Sequence, residues 1–305
     1  MKRLIVLSVI MAVMLLTWAS VAPVHPQDSA KDDTPTFYHL VPGTYVNGWP
    51  RCTIHYPKDW IERPGLTWAG QIFLVSPREP VPGPQFSLVV SPLPLPLEKF
   101  AETLVPVGRS FLQEVTIVSD KPVQLRDGSP AREVEIRGVW NGTPVIFWSL
   151  ATKKGDVAVH VDVTTMKRTT VEYLKTFSYS LEFEPGKDEP VKVPPDIREF
   201  LDKYSSDIVS HDLANVMTHY SDSYLRSGEK KGEVERSFKH FIGSLTSYVM
   251  SITDFEAEGD KVYLTGFTSI NGVRWPMSGT SIIKENGEWK WYGNQREVVS
   301  APPGK

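Results

Sequence analysis

A chain of 305 residues, 41% hydrophobic and 23% charged, has globular composition and the length of about two domains, which excludes wholesale disorder. Its formal net charge of −3, with no basic run, excludes the electrostatic footprint of a nucleic-acid partner. Cys52 is the only cysteine, so no internal disulfide exists and the fold rests on its cores, with Cys52 itself expected as a small buried apolar residue.

The N-terminus reads as an export signal. Lys2 and Arg3 precede the uncharged, mostly apolar run from Leu4 to Trp18, and Ser20-Val21-Ala22 supplies a cleavage site after Ala22. The run is shorter than the ~20 residues that span a bilayer. The expectation is therefore a periplasmic or secreted protein with no membrane span after signal cleavage, an uncleaved anchor being the alternative. No cysteine follows the run, as a lipoprotein would require. Residues 23–36 are polar and read as a disordered lead.

Residues 37–185 alternate strand signals with two helices. Cys52 to Tyr56, Ile72 to Val75 and Phe86 to Val90 are short apolar or alternating runs, and a proline-rich loop runs from Pro77 to Pro84. Phe100, Leu104, Val107 and Phe111 fall three or four apart, predicting a helix over Leu97 to Leu112 despite Pro106. Strands follow at Pro122 to Leu125, Ala131 to Trp140, Pro144 to Ala151 and Val157 to Val163. Asn141-Gly142 and Gly155-Asp156 supply the last two turns. A helix near Thr170 to Phe177 and a strand near Ser180 to Phe183 close the region. An antiparallel sheet with flanking helices is an α+β fold. His160 and Asp162 share one strand face, expected to be an exposed polar face of a half-buried sheet.

Thr53-Ile54-His55-Tyr56-Pro57-Lys58-Asp59-Trp60 resembles the strand and "tyrosine-proline-x-x-tryptophan" corner that opens the PsbP/Mog1-like fold. The order of the later strands, over roughly residues 40 to 185, is similar too. The resemblance implies binding or assembly work, with a protein partner, and transfers no catalytic residue.

Residues 186–195 are rich in proline, glycine and charge and read as a linker. Beyond it, Ile197, Phe200, Leu201, Tyr204 and Ile208 form an apolar helical stripe. Asp212 is placed to cap a second helix carrying Leu213, Val216, Met217 and Tyr220. A short strand around Ser223 to Arg226 and a helix near Lys231 to Leu245 come next. Strands over Tyr248 to Ala257, Lys261 to Ile270, Val273 to Lys284 and Glu288 to Gly293 are separated by Gly259-Asp260, Asn271-Gly272 and Asn286-Gly287. Residues 299–305 read as a disordered tail.

Three helices followed by an antiparallel meander resemble the NTF2-like or SnoaL-like fold. The phrases that carry this are Tyr204 to Tyr224 and Gly287-Glu288-Trp289-Lys290-Trp291-Tyr292. Over residues 196–298 the resemblance implies a curved-sheet cone with three helices, often a ligand pocket. Tyr204, His219, Tyr263, Phe267, Trp275, Met277 and Trp291 are the residues expected to line it, and aromatic walls of this kind suit a small apolar ligand.

Catalytic motifs are sparse. His219 and Asp222 are three apart, close enough to meet on one helical turn as an imidazole oriented by a carboxylate. A chance pairing at a helix end reads the same letters. No nucleophile elbow, phosphate loop or dinucleotide fingerprint occurs, and the seven histidines show no metal-ligand spacing. The sequence thus supports no catalytic residue, no metal and no cofactor. It points to an exported, non-enzymatic binding or assembly-accessory protein. An isomerase- or dehydratase-type enzyme and a homodimerising structural module are the alternatives.

Overall fold

The computed structural model describes residues 43–62, 71–77, 83–226 and 229–294. The signal segment, the polar lead, the tail 299–305 and residues 78–82 of the Pro77–Pro84 loop lie outside the described residues. The chain divides into two compact units that part between Pro185 and Gly186.

The first unit contains, in order, β1 (Thr44–Asn47), β2 (Cys52–His55), β3 (Ile61–Glu62), β4 (Gln71–Ser76), β5 (Gln85–Pro92), α1 (Phe100–Phe111), β6 (Gln113–Gln124), β7 (Pro130–Trp140), β8 (Thr143–Lys154), β9 (Val157–Thr165), α2 (Arg168–Ser178) and β10 (Glu182–Phe183). Seven strands form one antiparallel sheet in the order β3-β4-β5-β9-β8-β7-β6, and β1-β2-β10 form a second. The fold is α+β with antiparallel sheets. Beneath α1, Phe100, Ala101 and Leu104 pack on Val134, Ile136, Ala151 and Ala158. On the other face, Trp148, Leu150, Val159, Val161 and Val163 are buried, and Tyr179, just past α2, meets the ring of Trp148. Cys52 is fully buried.

Two sequence expectations change here. β6 begins at Gln113, not Pro122, because it is an edge strand exposed along most of its length and broken by two bulges, which erases the period-two signal. His160 and Asp162 are buried rather than exposed, at 2% and 8% exposure. Ala158 shares their strand face and Ala151 pairs with His160 from β8, both in the core under α1, and His160 stacks obliquely on Phe100 with centroids 5.1 Å apart.

The second unit holds α3 (Pro195–Val209), α4 (Leu213–Thr218), β11 (Tyr220–Arg226), β12 (Glu229–Lys230), α5 (Lys231–Phe241), β13 (Tyr248–Glu258), β14 (Lys261–Ile270), β15 (Val273–Glu285) and β16 (Glu288–Gly293). The sheet runs β12-β11-β16-β15-β14-β13, antiparallel except where β11 lies parallel to β16. All five residues of the α3 stripe are buried in one core with Met250, Ile252, Leu264, Ile282 and Trp291. Asp212 caps α4, its carboxylate accepting from the Asn215 N–H at 3.0 Å. At Asn271-Gly272 and Asn286-Gly287 both residues take left-handed φ (51° and 80°, 53° and 87°), the conformation a two-residue hairpin demands. The end of the proline-rich stretch belongs to this unit: the Val191 N–H bonds the Ile252 carbonyl and Val193 is in the core.

Gly266 sits where the register slips on both sides of β14. Its φ is 159°, and a Cβ there would lie 2.0 Å from the Ser251 carbonyl oxygen. Only glycine permits this approach between β14 and β13.

Candidate functional site

The helix–sheet interior of the second unit gathers four of the seven residues expected to line a pocket: Tyr204, His219, Met277 and Trp291. Tyr204, near the middle of α3, is the hub. Its ring lies 5.6 Å from His219, 6.0 Å from Tyr220, 5.8 Å from Tyr248 and 5.3 Å from Trp291, mostly edge to face. Phe200, one turn earlier, contacts both His219 and Trp291. Such edge-to-face pairs set ring positions as well as burying area. Met277 belongs to the same core.

Three candidates fall elsewhere. Tyr263 pairs with Glu256 and Ser281, so strand alternation puts it on the opposite face from Val262 and Leu264. Phe267 lies on that opposite face too, under the guanidinium of Arg274 at 5.5 Å. Trp275 is half-buried and stands outside the core cluster. Alternation runs unbroken along β14: Val262, Leu264, Gly266 and Thr268 share the core face and Tyr263 and Phe267 the other, because the extra residues at the two register slips lie on β13 and β15.

The hydroxyls of Tyr204 and Tyr220 are 2.7 Å apart. Burial drives both phenols well above their ordinary range and pushes Tyr248 up to about 12, so all three stay neutral. The Arg226 charge opposes that rise at Tyr220 and Tyr248 without overcoming it.

His219 does not pair with Asp222. Its Nε2 lies 2.7 Å from Oδ2 of Asp207, whereas the Asp222 side chain is 97% exposed and pairs with Lys231 at 2.7 Å. His219 ends α4 and turns back toward α3, while Asp222 lies three residues on, where β11 has already carried the chain to the surface. Asp207 stands three residues after Tyr204 on α3, so helical spacing places it beside the same cluster. That spacing was the signal available for it in the sequence.

Trp291 is held by its backbone, whose N–H donates to the His219 carbonyl at 2.7 Å. Its side chain is 3% exposed, and the indole Nε1–H has no hydrogen-bond partner. The Thr280 hydroxyl, on the facing part of β15, is likewise buried and unpartnered. Trp289 shows the usual outcome: its Nε1–H donates to Asp196 at 2.8 Å. Buried donors are nearly always satisfied, so an orphan in an aromatic interior asks for an acceptor.

The first unit has two polar clusters of a different kind. On β7, Glu133 accepts from Tyr179 (2.7 Å) and Lys175 (3.0 Å) and pairs with Lys121 (3.1 Å). Burial raises this carboxyl, but these bonds outweigh it and hold it at about 2. Glu135 is bound by Arg168 and Arg137. Under α1, Asp162 Oδ1 bonds both the Ser149 hydroxyl (2.7 Å) and His160 Nδ1 (2.9 Å). Ser149 therefore donates to a carboxylate and not to an imidazole, so the serine–histidine pairing of a nucleophilic site is not formed here. Among the described residues no three His, Cys, Asp or Glu side chains gather as a metal site, and no helix is long and apolar enough to cross a membrane.

No protein-family model matches the sequence, and a search of curated proteins finds no match. Similar solved structures include the cyanobacterial PsbP of Synechocystis. It is 13% identical, with 53% of this chain and 100% of that chain covered, and has a TM-score of 0.37. The Ran-binding protein Mog1p of Saccharomyces cerevisiae is 9% identical over 41% of this chain and 77% of its own, with a TM-score of 0.29. A protein of Bacteroides thetaiotaomicron is 12% identical over 81% and 88%, with a TM-score of 0.34.

Proposed function

We propose that this is an exported binding or assembly-accessory protein whose second unit, an NTF2-like cone, holds a small, mostly apolar ligand. One observation carries the reading: the buried indole N–H of Trp291 has no partner in an otherwise packed aromatic interior. A ligand oxygen or nitrogen accepting from Trp291, with Phe200 and Tyr204 against its apolar body, would satisfy that donor. The leader ending at Ala22 supports export. The Tyr56-Pro57-Lys58-Asp59-Trp60 corner supports a PsbP/Mog1-like first unit that docks a protein partner.

Native mass spectrometry of the protein tests the ligand. An added mass of a few hundred daltons, lost in Trp291→Phe, is the expected result. A bare protein mass from several hosts, with no uptake of apolar compounds, would remove the reading. The same spectrum shows whether the chain is a homodimer.

One observation favours the isomerase- or dehydratase-type alternative: the imidazole of His219, held by Asp207, lies against Tyr204. Chemical change of the bound compound that disappears in His219→Gln would select it. Asp222, paired with Lys231 at the surface, has no part in either reading.

A further inference from the structure

Building on the ligand reading, the charge at the edge of the same cluster narrows the chemistry of the ligand. Arg226 ends β11, two residues after Tyr224, so strand alternation gives it Tyr224's face. Tyr224 in turn contacts Tyr220 ring to ring at 5.0 Å, and Tyr220 shares its hydroxyl bond with Tyr204. The row Arg226, Tyr224, Tyr220, Tyr204, Trp291 thus runs from a cation at the strand end to the orphan donor in the core. The guanidinium also reaches the Tyr224 hydroxyl. Burial raises the phenols of Tyr220, Tyr224 and Tyr248, and the Arg226 charge opposes that rise at all three.

Arg226 is half-buried, and among the described residues it makes no ion pair with a carboxylate. The neighbouring cation is matched: Lys231 pairs with Asp222 and bonds the Tyr220 carbonyl at 3.0 Å. Glu229 stands opposite Arg226 in the β11–β12 ladder and lowers, without cancelling, the local positive potential. A guanidinium beside neutral hydroxyls is a planar fork suited to a carboxylate or sulfonate. The hub residues farther in bring no cation, so an anionic group placed there would be buried unmatched.

We infer that the ligand is an amphipathic organic anion, its single carboxylate or sulfonate on Arg226 and its aromatic or acyl body against Tyr204, Phe200 and Trp291. Two fluorescent probes of nearly one shape separate the charge from the body. They are 1-anilinonaphthalene-8-sulfonate, an anion, and N-phenyl-1-naphthylamine, which is uncharged. Each is titrated into the wild-type protein, Arg226→Gln and Glu229→Gln. The wild type binds the anion about tenfold more tightly than the neutral probe, the scale of one charge-assisted bidentate contact. Arg226→Gln loses that advantage and leaves the neutral probe within about twofold. Glu229→Gln tightens the anion about two- to threefold by removing an opposing charge, a gain that misfolding cannot imitate. Equal affinities in the wild type, or an anion affinity indifferent to both substitutions, overturns the charge assignment and leaves the ligand reading standing. Failure of both probes to bind overturns both.

Discussion

In the first unit, α2 is fastened to the sheet by full charges: Lys175 and Tyr179 on Glu133, and Arg168 on Glu135. In the second, α3 lies on its sheet through rings and neutral hydroxyls, with Tyr204 bonded to Tyr220 and packed on Trp291. Each acidic oxygen of the first contact has a donor, while the buried Trp148 indole N–H packed beside it has no hydrogen-bond partner. The second contact leaves the Trp291 and Thr280 donors unused. Buried polar groups are costly when unpaired. The proposed reading puts recognition in the second unit, with charged fastening of α2 in the first.

Substitutions sharpen this contrast, and the largest effect is expected at the charged contact. Glu133→Ala strands the Lys175 ammonium and the Tyr179 hydroxyl, and should cost about 3 kcal/mol in denaturant unfolding. A cost below about 1 kcal/mol would show that the network does not fasten α2. The same carboxylate makes the unit acid-sensitive. Its pKa is held at about 2 against an ordinary 4.5, so its contribution is complete above pH 4.5 and is lost as pH falls toward 2. Glu133→Gln should therefore flatten the acid limb of a stability–pH curve, and an unchanged limb would contradict the assignment.

Effects in the second unit should be smaller on stability and larger on binding. Tyr204→Phe removes the hydroxyl shared with Tyr220 and should cost about 1–2 kcal/mol. Trp291→Phe breaks no side-chain hydrogen bond, so its cost should stay near 1 kcal/mol, from lost packing alone. Loss of bound mass alongside a near-wild-type melting temperature is the pattern that separates a ligand residue from a core residue. Asp222→Asn, at an exposed pair, should change neither melting temperature nor binding.

Much of the fold was legible from local signals. The α3 stripe, the Asp212 cap and the Asn-Gly hairpins are written in adjacent letters, and the structure places each of them as read. The failures have a common origin in contacts between distant segments. Burial of His160 and Asp162 depends on α1 lying over that face, and His160 meets Phe100 sixty residues away in sequence. Asp207 reaches His219 across a helical turn-back, so the nearer Asp222 was the plausible partner on spacing alone. Tyr263 and Phe267 share one face of β14 by plain alternation, and which face meets the helices is decided by packing between distant segments, which the strand's own letters do not carry. Apart from Arg137, two residues along the same strand from Glu135, the partners of Glu133 and Glu135 come from β6, α2 and the residue after it, which adjacent letters do not show.

The indole N–H of Trp291 tests the central claim most directly. In a proton–nitrogen correlation spectrum the nine tryptophans give separate side-chain signals, and the one missing from Trp291→Phe identifies this residue. On titration with N-phenyl-1-naphthylamine or 1-anilinonaphthalene-8-sulfonate, that signal should shift saturably while the Trp289 signal, bound to Asp196, stays in place. If the Trp291 signal stays still at saturating probe, or moves only together with all the others, the interior of the second unit is a core and not a binding site.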